Sequence, residues 1–89
     1  MVTVEFTAQL QRFTTTPQVQ CVAATLREAL EAAFAVNPAL RSYVLDDQAR
    51  IRTHVAIFID SMLVRNRATL AHALRADSRV YVLQALSGG

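Results

Sequence analysis

Ala24-Thr25-Leu26-Arg27-Glu28-Ala29-Leu30-Glu31-Ala32-Ala33-Phe34 is the stretch on which the fold turns. Thr25 and Glu28 have the spacing of a capping box, in which each side chain meets a backbone donor at the start of a helix. Leu26, Ala29, Leu30, Ala33 and Phe34 then recur at helical spacing and lay one apolar stripe along it. Asn37-Pro38 stops the helix, because proline disfavours helical geometry in the residue before it. Such a stripe needs an apolar surface to cover, and the flanking sequence supplies one.

Upstream, Val2, Val4 and Phe6, with Ala8 and Leu10 as a continuation, alternate with Thr3, Glu5, Thr7 and Gln9. A period of two describes a strand with one face buried and one wet. Thr14-Thr15-Thr16-Pro17 is turn-like and Gln18 to Val22 reads as a second strand, so the pair makes an antiparallel hairpin. Downstream, Ala39 to Tyr43 suits a short helical turn and Asp46-Asp47-Gln48 an exposed loop. Val55-Ala56-Ile57-Phe58-Ile59 is strongly β-prone, ends at Asp60-Ser61 and returns through Leu63-Val64-Arg65. Thr69 to Leu74 is expected to form a helical turn, and Arg79 to Leu83 a last strand. The order strand, strand, helix, strand, short strand, strand predicts an α+β fold: a mixed sheet of four or five strands with one main helix on one face. The other face must then meet solvent or a partner.

At 89 residues and 9.8 kDa the chain has room for one domain. With no repeat or linker, residues 1–84 form the body and residues 85–89 a tail. A hydrophobic content of 53% and mean hydropathy of +0.26 fit a compact soluble domain. No apolar run approaches the roughly 20 residues of a membrane span. The alternating N-terminus lacks the basic region of a secretion signal, which points to the cytoplasm. A single cysteine excludes an internal disulfide framework. The net charge of +2 comes from nine arginines and no lysine. These arginines are scattered from Arg12 to Arg79 without a basic stripe or aromatic platform, which argues against nucleic-acid binding. Without lysine, no side chain can accept an isopeptide bond.

The usual catalytic constellations are missing. Cys21 alternates with Val19 and Ala23 as a buried structural thiol would, and no His neighbours it as a catalytic cysteine requires. His54 and His72 lack metal-ligand spacing, so no metal site is expected. Asp46, Asp47 and Asp77 read as loop and turn acids, and Ser87 has no base or oxyanion hole. There is no glycine-rich phosphate loop. The only glycines in the chain are instead Gly88 and Gly89. Every turn of the body is made without glycine, and both copies sit where the sequence stops. Their placement suggests a slender tail addressed at its carboxylate; the alternative is an added or frayed end.

The ordered set of the opening Val-x-Val-x-Phe strand, the Ala24–Leu30 helix start, Val55–Asp60, Val64-Arg65 and Val80–Leu83 leading to Gly88-Gly89 resembles the ubiquitin-like β-grasp fold. More closely it resembles the prokaryotic sulfur-carrier family that includes MoaD and ThiS. The length and the loop before Val55 are nearer the MoaD and cysteine-biosynthesis carriers than ThiS. The chain departs from the family pattern at Ala76-Asp77-Ser78-Arg79, where a glycine between acids is usual, and at Asp60-Ser61, Gln84 and Ser87.

The resemblance implies a carrier rather than an enzyme. An ATP-dependent partner would adenylate the carboxylate of Gly89, a sulfur donor would convert it to a thiocarboxylate, and an acceptor enzyme would take the sulfur, in a molybdopterin-type or cysteine-type pathway. No cofactor would be bound, since the ATP belongs to the partner. Gly88, Ser87 and Leu86 would thread the partner's active site, where residues without a Cβ admit a narrow channel. Alternation adds a docking surface. With Val55, Ile57, Ile59, Val80 and Val82 turned to the helix, Phe58, Tyr81 and Leu83 form an outward apolar patch, flanked by Arg65 and Arg79. A strand in opposite register would bury those three instead. Two other functions fit the same features: a ubiquitin-like modifier joined through Gly89 to amines, or an accessory β-grasp subunit with an inert tail.

Overall fold

The computed structural model describes residues 1–7 and 18–84. They form β1 (Val2–Phe6), β2 (Gln18–Cys21), α1 (Leu26–Val36), α2 (Ala39–Val44), β3 (Val55–Ile59), β4 (Met62–Leu63) and β5 (Arg79–Gln84). The expected continuation of β1 through Ala8 and Leu10, the turn at Thr14–Pro17 and the tail at 85–89 lie outside the described residues. The strands make one mixed sheet in the order β2-β1-β5-β3-β4. β1 pairs antiparallel with β2 and parallel with β5, while β3 pairs antiparallel with both β5 and β4. The last strand therefore runs up the middle of the sheet, laced on both sides.

Alternation sorts the residues between faces as the sequence predicts. Val2, Val4, Phe6, Val55, Ile57, Val80 and Val82 are buried on one face. Leu26, Ala29, Leu30, Ala33 and Phe34 of α1 cover them. Leu40 and Val44 of α2, with Leu45, Ile51, Val64 and Leu70 from the connections, close the rest of the core. Burying an aliphatic or aromatic side chain contributes about 1.5–3 kcal/mol, so this one layer carries most of the stability.

The start of α1 shows a full account of its backbone donors. Glu28 N–H donates to Thr25 Oγ1 at 3.3 Å, and Glu28 Oε1 accepts from Ala24 N–H at 2.7 Å. This is the predicted capping box, with its return bond shifted one residue upstream. The two remaining free donors, Leu26 N–H and Arg27 N–H, reach the carbonyls of His72 and Leu70 at 3.0 and 2.9 Å. Those acceptors correct one expectation: Thr69 to Leu74 does not form a helical turn. The segment runs as an irregular strap that bridges Thr25 through Ala73 and donates Leu74 N–H to the Ala24 carbonyl at 2.9 Å. The donors at the start of α1 that the capping box leaves over outcompete local helix formation, because an orphaned helix donor costs more than one turn of helix returns.

The absence of body glycine has a visible consequence. Ala49, Asp60, Ser61 and Leu70 carry positive φ of 59°, 49°, 72° and 53°. Asp60 and Ser61 are the two loop residues between Ile59 and Met62, which pair. Positive φ at both is the backbone signature of the tight hairpin turn that normally selects Asn-Gly. Leu70 is fully buried, so core packing and the bond from Arg27 hold it in the left-handed region.

Candidate functional site

The sheet face away from α1 is left uncovered, and the strand register arranges its side chains in rows. Glu5 on β1, Tyr81 on β5 and Phe58 on β3 stand directly opposite one another across three strands. Leu83 and Arg79 lie two residues either side of Tyr81 on β5 and so share its face. Together with Asp60 and Ser61 these residues line one groove. Tyr81 is 42% exposed, while Phe58 and Leu83 are half-buried. Opposite Phe58 the register places Leu63 of β4, 44% exposed, which lengthens the apolar row to the sheet edge. Sequence reading passed over Leu63 because a two-residue strand shows no period.

Of the flanking arginines, Arg79 lines this groove, whereas Arg65 is an exposed residue beyond β4 and is not among the lining residues. Arg79 is fixed by Asp60. The Asp60 carboxylate accepts Arg79 N–H and Ser78 Oγ–H, both at 2.9 Å, and Asp60 N–H donates to Arg79 carbonyl at 2.9 Å. Arg75 approaches the same carboxylate at 3.7 Å. The Arg79 N–H first, then the Ser78 hydroxyl and the Arg75 charge, hold the Asp60 carboxyl below its usual range. A carboxylate so committed is a poor base, so its role is to pin the β3–β4 turn against the start of β5 at the groove's rim. No sequence signal marked this network, because Asp60 and Ser78 are 18 residues apart.

The other candidates are structural. Cys21 is half-buried, and burial pushes its thiol up. The His54 ring sits edge-on to Tyr43 at 4.9 Å. His72 is half-buried in the strap, where its carbonyl caps α1. Asp46 accepts Gln48 N–H and Arg50 N–H at 2.9 and 3.0 Å and forms the predicted loop. Asp77 is an exposed turn residue. Arg67, unremarked in the sequence, donates to the carbonyls of Arg52 and Val55 and ties down the entry to β3. Among the described residues no group of three or more His, Cys, Asp or Glu is placed to hold a metal. No described helix is long and apolar enough to cross a membrane.

Gly89, Gly88, Ser87 and Leu86 lie outside the described residues. What is described is their anchor: Gln84 ends the central strand, opposite Val55 on β3. The arrangement is a hydrogen-bonded platform with an apolar groove on one face and a middle strand that ends at Gln84.

Known structures share this architecture. SAMP1 from Haloferax volcanii superimposes with a TM-score of 0.82 at 23% identity, over 99% of this chain and 98% of that one. The Amycolatopsis orientalis BexX/CysO complex matches with a TM-score of 0.84 at 18% identity, over the whole of both chains. Mycobacterium tuberculosis CysO matches with a TM-score of 0.82 at 22% identity, over 97% of this chain and all of that one. No curated protein sequence matches significantly. The ThiS family model matches residues 4–89, from the first strand through both glycines, and the chain therefore belongs to the ThiS family, with the ubiquitin-like β-grasp fold.

Proposed function

We propose that the protein is a sulfur carrier whose Gly89 carboxylate is adenylated by an ATP-dependent partner and converted to a thiocarboxylate. The observation that carries this reading is the family match running to residue 89, together with the confinement of the chain's only two glycines to that end. A terminal carboxylate with a pKa near 3.5 is an anion at neutral pH and a weak electrophile. Adenylation gives it a leaving group. A sulfur nucleophile then displaces AMP, and the product presents sulfur instead of oxygen to the acceptor enzyme. The catalytic groups for both steps belong to partners.

The groove of Phe58, Tyr81 and Leu83 is the proposed docking surface, with Arg79 at its rim. Gly88, Ser87 and Leu86 thread the partner's site, and Arg65 is assigned to the periphery. That CysO has been solved in a complex with BexX supports partner docking by this fold. A molybdopterin-type or cysteine-type pathway is the proposed destination of the sulfur, and the cytoplasm the proposed location. Intact-mass measurement of the protein isolated from its own cell tests the reading. Replacement of one oxygen by sulfur at Gly89 is the expected result. Amide adducts on other proteins would make it a modifier, and an unmodified, dispensable tail would overturn the proposal.

A further inference from the structure

The following rests on the reading of the groove around Tyr81 as a docking surface, and concerns what its occupant must carry. All seven acids of the chain lie in the described residues. Glu28 closes the capping box, Glu31 pairs with Arg41, and Asp46 pairs with Arg50. Asp60 is held by Ser78 and Arg79, and Asp77 approaches Arg75 at 4.0 Å. Asp47 is exposed in its loop, where water solvates it. Glu5 remains. It is half-buried on β1 and lines the groove, with no ion pair or side-chain hydrogen bond among the described residues.

A half-buried carboxylate has given up part of its hydration, and without a partner that loss stays uncompensated. The row across the sheet adds a second constraint. Glu5 stands beside Tyr81, and Tyr81 beside Phe58. Paired strands lie about 4.8 Å apart, so the acid sits one strand spacing from an exposed aromatic ring. The groove's own cation does not fill this place. Arg79 is level with Thr3, two residues along β5 from Tyr81, and no ion pair joins it to Glu5 among the described residues.

We infer that the groove takes an arginine from its partner: the guanidinium lies on the Tyr81 ring and donates to the Glu5 carboxylate, while an apolar neighbour in the partner packs on Phe58 and Leu83. Charge complementarity selects a cation here, since an acidic segment would meet Glu5 as a like charge. The aromatic row then selects arginine over lysine. A guanidinium stacks its plane on a ring while its edge forks to a carboxylate, and it gives up less hydration than an ammonium. Glu5 also sets direction, with the partner's cation toward β1 and its apolar contacts toward β3.

The test uses the full chain and three capped pentapeptides, in which leucine alternates with arginine, with lysine, or with citrulline, the neutral isostere of arginine. Activation of Gly89 does not enter it, so a failure of sulfur loading and a failure of this inference are read separately. Backbone amide NMR shifts follow each titration at low ionic strength, where exposed charges are least screened. The arginine peptide is expected to move Glu5, Phe58, Tyr81 and Leu83 saturably and to bind about fivefold tighter than the citrulline peptide, with lysine between them. Glu5→Gln, its fold checked by circular dichroism, should bring all three to the citrulline affinity. The citrulline comparison needs no variant, so it decides the matter even if Glu5→Gln does not fold. Equal binding of the arginine and citrulline peptides would overturn the inference, as would lysine binding as tightly as arginine or the lack of a saturable shift in the groove. So would an arginine advantage that survives in folded Glu5→Gln. An advantage seen only in Arg79→Gln would do the same, because Glu5 would then belong to Arg79.

Discussion

Ser61→Gly should make this protein more stable. Ser61 holds φ 72° in the two-residue turn between β3 and β4. For a residue with a Cβ, the left-handed region costs about 1–2 kcal/mol. Glycine removes that cost but adds freedom to the unfolded chain, which takes back about 0.4–1 kcal/mol. The net expectation is a gain of about 0.5–1 kcal/mol, or a rise in Tm of about 3–6 °C for a domain of this size. Urea unfolding should show a higher midpoint at an unchanged slope, the sign of altered stability rather than altered compactness. Two neighbouring changes separate the cause. Ser61→Ala keeps the backbone cost and should bring no gain. Asp60→Gly relieves a φ of 49° yet removes the carboxylate that accepts from Ser78 and Arg79, so it should lose stability. A Ser61→Gly protein no more stable than the parent would refute the argument that the glycine-free body carries backbone strain at this turn.

Four further outcomes are expected. Gly88→Val and Gly89→Val should leave the unfolding midpoint unchanged and abolish thiocarboxylate formation in the native cell, as read by intact mass. Phe58→Asp should weaken binding to the activating partner about tenfold or more, as loss of an aromatic anchor does; equal affinity in a folded variant would remove the groove from the docking surface. Thr25→Ala should cost about 1 kcal/mol, visible as a Tm lower by about 4–8 °C, because Glu28 N–H loses its acceptor. Asp60 has a folded pKa below its ordinary 3.8, so the folded state binds fewer protons and its contribution is fully present above that value. It is lost as pH falls through 3.8 and below. Asp60→Asn should therefore be less stable than the parent near neutrality, with the gap narrowing in acid titrations monitored by thermal melts.

The elements that could be read from the sequence are those whose physics is local. Leu26 to Phe34 buries its own stripe, Thr25 and Glu28 cap it, and the β-prone run Val55 to Ile59 forms a strand with Val55 and Ile57 buried and Phe58 half-buried. The row of Phe58, Tyr81 and Leu83 follows from those periods once the strands pair in register. Thr69 to Leu74 was misread for the opposite reason. Its composition suits a helical turn, but its carbonyls are drawn to the donors at the start of α1, more than 40 residues away. Arg65 and Arg79 look equivalent in sequence, yet only Arg79 sits on a strand of the uncovered face. Leu63, Arg67 and the Asp60–Ser78 bond gave no signal, since each acquires its role from a segment distant in the chain.

Read alone, the order of residues determined that one amphipathic helix would cover one face of a sheet, that no lysine or second thiol exists, and that the only glycines follow the last strand. Periodicity and composition are properties of short windows, and they need no partner to be seen. Tertiary structure decided that the last strand lies at the centre, parallel to the first, so that it ends at Gln84 on the pole opposite Val2 and Cys21. Strand neighbours are chosen by which long-range pairing buries the whole apolar face with every backbone donor met, and that sum is settled only when the chain closes on itself.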